Sequence, residues 1–105
     1  MTIQRYRRKA VPSREEDVIA VRYEPGAPLG ELAEVARRYD DDAELTEAVL
    51  PSGPVLLVRY DNIEGERSFR DWMVIEPGGY LACSGVLFGT DEDGLRHWYE
   101  PAGQS

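Results

Sequence analysis

Apolar positions along this chain fall into short alternating runs broken by turn residues, with one stretch of helical spacing between them. Residues 17–23, DVIAVRY, place Ile19, Val21 and Tyr23 on one parity and Val18, Ala20 and Arg22 on the other. That alternation predicts a strand whose fully apolar face, Ile19 with Val21 and Tyr23, points to the core. Glu24-Pro25-Gly26 then marks a turn. In residues 28–39, Leu29, Leu32, Ala33, Ala36 and Tyr39 recur at spacings of three and four, which predicts a helix with one apolar stripe. Pro28 suits its first turn. Glu31 and Glu34 lie early and Arg37 and Arg38 late, as the helix macrodipole favours.

Residues 44–50 read two ways. Leu45, Ala48 and Val49 suit one or two helical turns, and a short strand is the alternative. Pro51-Ser52-Gly53-Pro54 is a break. Residues 55–60, VLLVRY, are too continuously apolar for an exposed edge and predict a central strand. After a polar reversal at residues 61–66, residues 67–75 resume with Phe69, Met73 and Ile75 on one parity; a bulge near Asp71 would reconcile the imperfect alternation.

The stretch 71–89, DWMVIEPGGYLACSGVLFG, is read as a hairpin at the centre of the sheet, turning at Glu76-Pro77-Gly78-Gly79. Asp91-Glu92-Asp93-Gly94 reads as an acidic loop, and Leu95, Trp98 and Tyr99 as a last helical turn. The expected architecture is one α+β domain spanning residues 1–105. A small, mainly antiparallel sheet of four or five strands carries the 28–39 helix on one face, with hairpins 55–75 and 72–88 at its centre. Residues 1–14 form a basic N-terminal arm, or an edge strand anchored by Ile3, and residues 101–105 a frayed tail. The candidate core is Val21, Tyr23, Leu32, Ala36, Leu57, Trp72, Val74, Leu81, Cys83, Phe88 and Trp98.

Composition narrows the class. A chain of 105 residues, 42% hydrophobic and 30% charged, suits one soluble domain. No apolar run approaches the ~20 residues that cross a bilayer. The N-terminus has basic residues without an apolar segment behind them, so no signal peptide is expected. A single cysteine, Cys83, excludes an internal disulfide and points to a reducing cytoplasm. The net charge is −8, unevenly spread: Arg5, Arg7, Arg8, Lys9 and Arg14 lie in the first fourteen residues, which hold no acid. Nucleic-acid contact through this arm is one alternative, but the acidic remainder would repel phosphates, and the arm is better read as lying on its own acidic body.

Candidate chemistry is sparse. Asp40-Asp41-Asp42 lacks the alternating oxygen ligands, glycine and distant glutamate of a calcium loop. Cys83 and His97 could pair as nucleophile and base in a cleft, which is the enzyme or small-ligand alternative; a cysteine in an apparent strand is more often a small buried hydrophobe. Zinc needs about four ligands, which one cysteine and one histidine do not provide. Glu64, Glu66 and Asp71 read as a solvated rim. The glycines match no phosphate-binding loop. Trp72, Tyr80, Phe88, Trp98 and Tyr99 cluster late in the chain among acids rather than bases, which fits core packing or a protein-binding hot spot better than base stacking. No cofactor and no metal are expected.

Tyr6-Arg7-Arg8-Lys9-Ala10-Val11, an aromatic strand end at Tyr23, the Asp71-Trp72-Met73-Val74 turn and strand, and the closing Tyr99-Glu100-Pro101 occur in that order. In these the chain resembles a group of small bacteriophage- and prophage-encoded proteins whose N-terminus runs Tyr-Arg-Lys-Lys-Pro-Val and whose C-terminus carries Tyr-Glu-Pro. Ala10 replaces the proline of that pattern, and Arg70 stands where a glycine is usual. The resemblance implies a phage-related cytoplasmic protein of a bacterial host and carries over no catalytic residue. The resulting expectation is a non-enzymatic protein-interaction module, monomeric or homodimeric. It would engage a basic host or phage protein through an acidic surface of Asp40, Asp41, Asp42, Asp91, Glu92 and Asp93.

Overall fold

The computed structural model describes residues 3–8, 18–64, 66–84 and 86–101. The elements run β1 (Gln4–Arg8), β2 (Val18–Arg22), α1 (Gly30–Tyr39), β3 (Glu44–Leu50), β4 (Gly53–Glu64), β5 (Arg67–Ile75), β6 (Tyr80–Cys83), β7 (Leu87–Thr90), α2 (Glu92–Trp98) and β8 (Tyr99–Pro101). The fold is α+β and its sheets are antiparallel, but there are two of them. One has five strands in the order β7-β6-β2-β1-β8, the other three in the order β3-β4-β5.

The five-stranded sheet is buried on both faces. Ile19 and Val21 of β2, with Leu81 and Cys83 of β6, face Leu32, Val35 and Ala36 of α1 and the inner face of the smaller sheet. The opposite parity, Val18 and Ala20 with Ala82, packs on Leu95 of α2, with Tyr80, Phe88 and Tyr99 alongside. The strand at 17–23 therefore has two core faces rather than one; small Ala20 and Ala82 leave room for the second helix. Phe88 is half-buried there, its ring stacked on Tyr99 at 6.2 Å. The side chain of Trp98 lies outside the described residues.

The smaller sheet contributes Leu56, Val58, Tyr60 and Ile75 to the main cluster, with Leu45 and Met73 partly buried against it. Tyr39 meets the Tyr60 ring edge-on at 6.0 Å, tying the end of α1 to β4. Tyr23, fully buried, donates from its hydroxyl to Glu47 of β3 at 2.9 Å and so joins the two sheets. Burial, then this bond to a carboxylate, push its pKa up to about 12.

Several expectations are corrected. The 72–88 hairpin does not form: β5 pairs with β4, and β6 with β2 and β7. Glu76-Pro77-Gly78-Gly79 is a turn, with the Gly79 N–H donating to the Glu76 carbonyl at 2.9 Å, but it carries the chain from one sheet to the other. Gly78 has φ +85, which a side chain would strain, and proline before it pre-sets the turn. Main-chain bonds from the Gly78 N–H to Tyr23 and from the Tyr23 N–H to Gly79 dock this turn on the end of β2. Of the two readings of residues 44–50 the strand is the one that forms, because the tight turn at Pro51-Ser52 folds them back along β4 in register. The register of β4 with β5 is continuous through Tyr60 opposite Asp71, so no bulge occurs. The 91–94 segment is not a loop beyond its first residue: the Asp91 carboxylate accepts the Gly94 N–H at 2.6 Å and starts α2. Residues 4–8 are an interior strand, since β8 pairs along the far side of β1 with Arg7 opposite Glu100. Pro101 thus belongs to a strand; residues 9–17, with Lys9 and Arg14 of the basic arm, and residues 102–105 lie outside the described residues.

The expected core is corrected at three positions. Trp72 is 56% and Val74 54% exposed. Leu57 on the same parity is only half-buried. The cause is register: Met73 and Ile75 take the inward parity of β5, which turns Trp72 and Val74 outward. Val21, Tyr23, Leu32, Ala36, Leu81 and Cys83 are buried.

Candidate functional site

The outward face of the three-stranded sheet follows from its pairing. Thr46, Leu57 and Val74 lie in one row across β3, β4 and β5, and Glu44, Arg59 and Trp72 in the next. Ala48 and Val55 continue this parity toward the β3–β4 turn, where Val55 is buried. The Arg59 guanidinium lies 5.6 Å from the Trp72 ring centroid, over its face. Its Nε is shielded from solvent and finds no hydrogen-bond acceptor among the described residues. That Nε is too enclosed for a partner's oxygen to reach, but a cation on an aromatic platform flanked by exposed Val74 can offer its terminal guanidinium nitrogens to a carboxylate or carbonyl oxygen together with apolar surface. β4, paired on both sides, holds these side chains on a fixed frame.

The expected acidic surface is divided by the fold. Asp40-Asp41-Asp42 follow α1 on one side of the five-stranded sheet, whereas Asp91, Glu92 and Asp93 open α2 on the other. Three of the six are engaged internally. Asp40 Oδ2 accepts the Asp61 N–H at 2.7 Å and Oδ1 the Asp42 N–H at 3.0 Å, with Arg70 at 3.8 Å. The Asp61 N–H bond above all, aided by the Asp42 N–H and Arg70, outweighs burial and holds the Asp40 carboxyl below the usual carboxylate range. Asp91 caps α2, and Glu92 pairs with Arg96 at 3.0 Å. Asp41, Asp42 and Asp93 are exposed.

The Cys83–His97 cleft does not exist. Cys83 is buried on the sheet face toward α1, while His97 is exposed on α2 beyond the other face. A sheet buried on both sides separates them. Among the described residues no group of three or more His, Cys, Asp or Glu side chains could hold a metal. An open cleft of about 290 Å³ between β5 and β7 is lined by Met73, Ile75, Glu76, Gly89, Thr90 and Asp91 among others and gathers no nucleophile–base pair. Among the described residues no helix is long and apolar enough to cross a membrane.

Comparison with protein-family models, curated proteins and solved structures returned no match to the chain. From the sequence Trp72 reads as core, because aromatic residues in strands are usually packed inward. Charge gives no signal for the faces of this strand: Arg70 shares the parity of Trp72, but Arg67 and Asp71 share that of inward Met73 and Ile75.

Proposed function

We propose that the protein is a non-enzymatic protein-interaction module of phage or prophage origin, acting in the bacterial cytoplasm. It engages its partner through the outer face of β3-β4-β5. The observation that carries this reading is the outward Leu57, Arg59, Trp72 and Val74 cluster on a rigid sheet, with the Arg59 guanidinium over the exposed Trp72 ring. Trp and Arg on well-supported elements are the residue types that dominate binding energy. The partner that fits is a host protein of net positive charge, steered by the −8 field and its exposed Asp41 and Asp42. It would present an apolar patch over Trp72 and Val74 and an oxygen to Arg59.

The test compares immobilised wild type, Trp72→Ala and Asp41→Asn/Asp42→Asn on one bacterial lysate. The expected result is a basic protein retained by wild type, lost on Trp72→Ala and retained less by the double variant or at raised ionic strength. Equal retention on Trp72→Ala overturns the sheet face as the contact, and no specific retention by wild type overturns the module itself.

A further inference from the structure

β5 is an edge strand: β4 covers one side, no described strand hydrogen-bonds to the other, and β7 lies across the open cleft from its last residues, Met73, Val74 and Ile75. It is nine residues long, RSFRDWMVI, and exposes Phe69, Trp72 and Val74. An edge of this length and composition is a template for pairing with another chain.

The direction of its main-chain groups can be worked out from β4. The Asp61 N–H points to the β3 side, where Asp40 accepts it. Successive residues of a strand direct their N–H groups to alternate sides, so that of Tyr60 points to β5, where it meets Asp71. The N–H groups of Asp71 and Met73 then turn back to β4, and those of Arg70, Trp72 and Val74 face the open edge. The Trp72 N–H is not open, however: the Asp71 Oδ1 accepts it at 2.8 Å. The other Asp71 oxygen, Oδ2, accepts from the Asn62 side chain at 3.2 Å, which anchors the carboxylate against β4.

We infer that Asp71 is a latch that closes the β5 edge against β5 of a second copy of this chain. Two identical strands paired antiparallel about a two-fold axis at Asp71 would set Arg70 of each opposite Trp72 of the other. Each would need the Trp72 N–H as a donor, and would bring two Asp71 carboxylates face to face. The side chain therefore blocks the pairing twice, by consuming the central donor and by like-charge repulsion. This inference concerns the edge of β5 and stands independently of the proposed contact on the outer sheet face.

The test measures molecular mass by sedimentation velocity across protein concentration, with amide exchange at Trp72. Wild type stays unassociated through this edge, and its Trp72 amide exchanges more slowly than those of Arg70 and Val74. Asp71→Ala shifts to concentration-dependent dimer, and adding Val74→Pro, which removes a neighbouring edge N–H without touching the β4 ladder, returns it to monomer. Asp71→Asn, which keeps the Oδ1 acceptor, retains the slow Trp72 amide. A monomeric Asp71→Ala overturns the latch, as does an Asp71→Ala dimer indifferent to Val74→Pro. Should Asp71→Ala not fold, a wild-type Trp72 amide exchanging as fast as its two edge neighbours overturns it alone.

Discussion

Asp40 shows how much a single side chain depends on what the fold brings to it. In the sequence it is the first of three adjacent acids and differs from its neighbours in nothing. In the structure it accepts the Asp61 N–H where β3 has not yet begun, so it satisfies a main-chain donor that the β3–β4 ladder does not reach. Removing it leaves that donor without a partner. Asp40→Ala should cost about 1–3 kcal/mol in urea unfolding, while Asp41→Ala should stay within about 0.5 kcal/mol. The pH dependence follows from the lowered Asp40 pKa. A carboxyl easier to ionise in the folded state adds stability above its ordinary value of 3.8, and that stability is lost as pH falls below it. The difference between the two variants should therefore shrink in acid. An Asp40→Ala penalty that persists below the carboxylate range would refute this account.

At the scale of the element, the β4–β5 hairpin has two chemically different faces. Leu56 is fully buried opposite Ile75, in the cluster shared with α1 and the five-stranded sheet. Val74, one position along, faces out. Leu56→Ala should cost about 2–5 kcal/mol because a cavity remains among packed neighbours. Val74→Ala should change stability by no more than about 0.5 kcal/mol. Chemical denaturation of both variants checks the assignment, and comparable losses would mean that the outer face is covered. A second close contact limits β7. A Cβ added at Gly89 would stand 2.6 Å from Ile75 Cδ1, so the two sheets approach there through a residue without a side chain.

For the molecule as a whole, the decisive feature is a five-stranded sheet with packing on both faces. It isolates Cys83 from solvent and from His97. Labelling of Cys83 by a thiol reagent should therefore require opening of the main core, and its rate should track global unfolding as denaturant is added. His97→Ala should leave that rate unchanged in the native protein. Rapid native labelling, or a dependence on His97, would restore the pairing that the sheet excludes.

The local elements were legible in the sequence. The spacing of Leu32, Ala36 and Tyr39 and the late arginines mark α1, whose observed start at Gly30 lies two residues from the expected one. The VLLVRY run is a central strand, and both Glu-Pro-Gly segments are turns, because propensity and backbone sterics act within a few residues. Tertiary structure alone decided which strands pair with which. The Glu76–Gly79 turn looks the same whether it closes a hairpin or passes from sheet to sheet; only the docking of Gly78 and Gly79 on Tyr23 selects the second. That choice sets the outward parity of Trp72 and Val74, divides the acids between two layers and leaves β5 at an edge. Alternation along a strand says that its two faces differ. Which face meets the core depends on partners far away in the chain, and no periodicity within the strand encodes them.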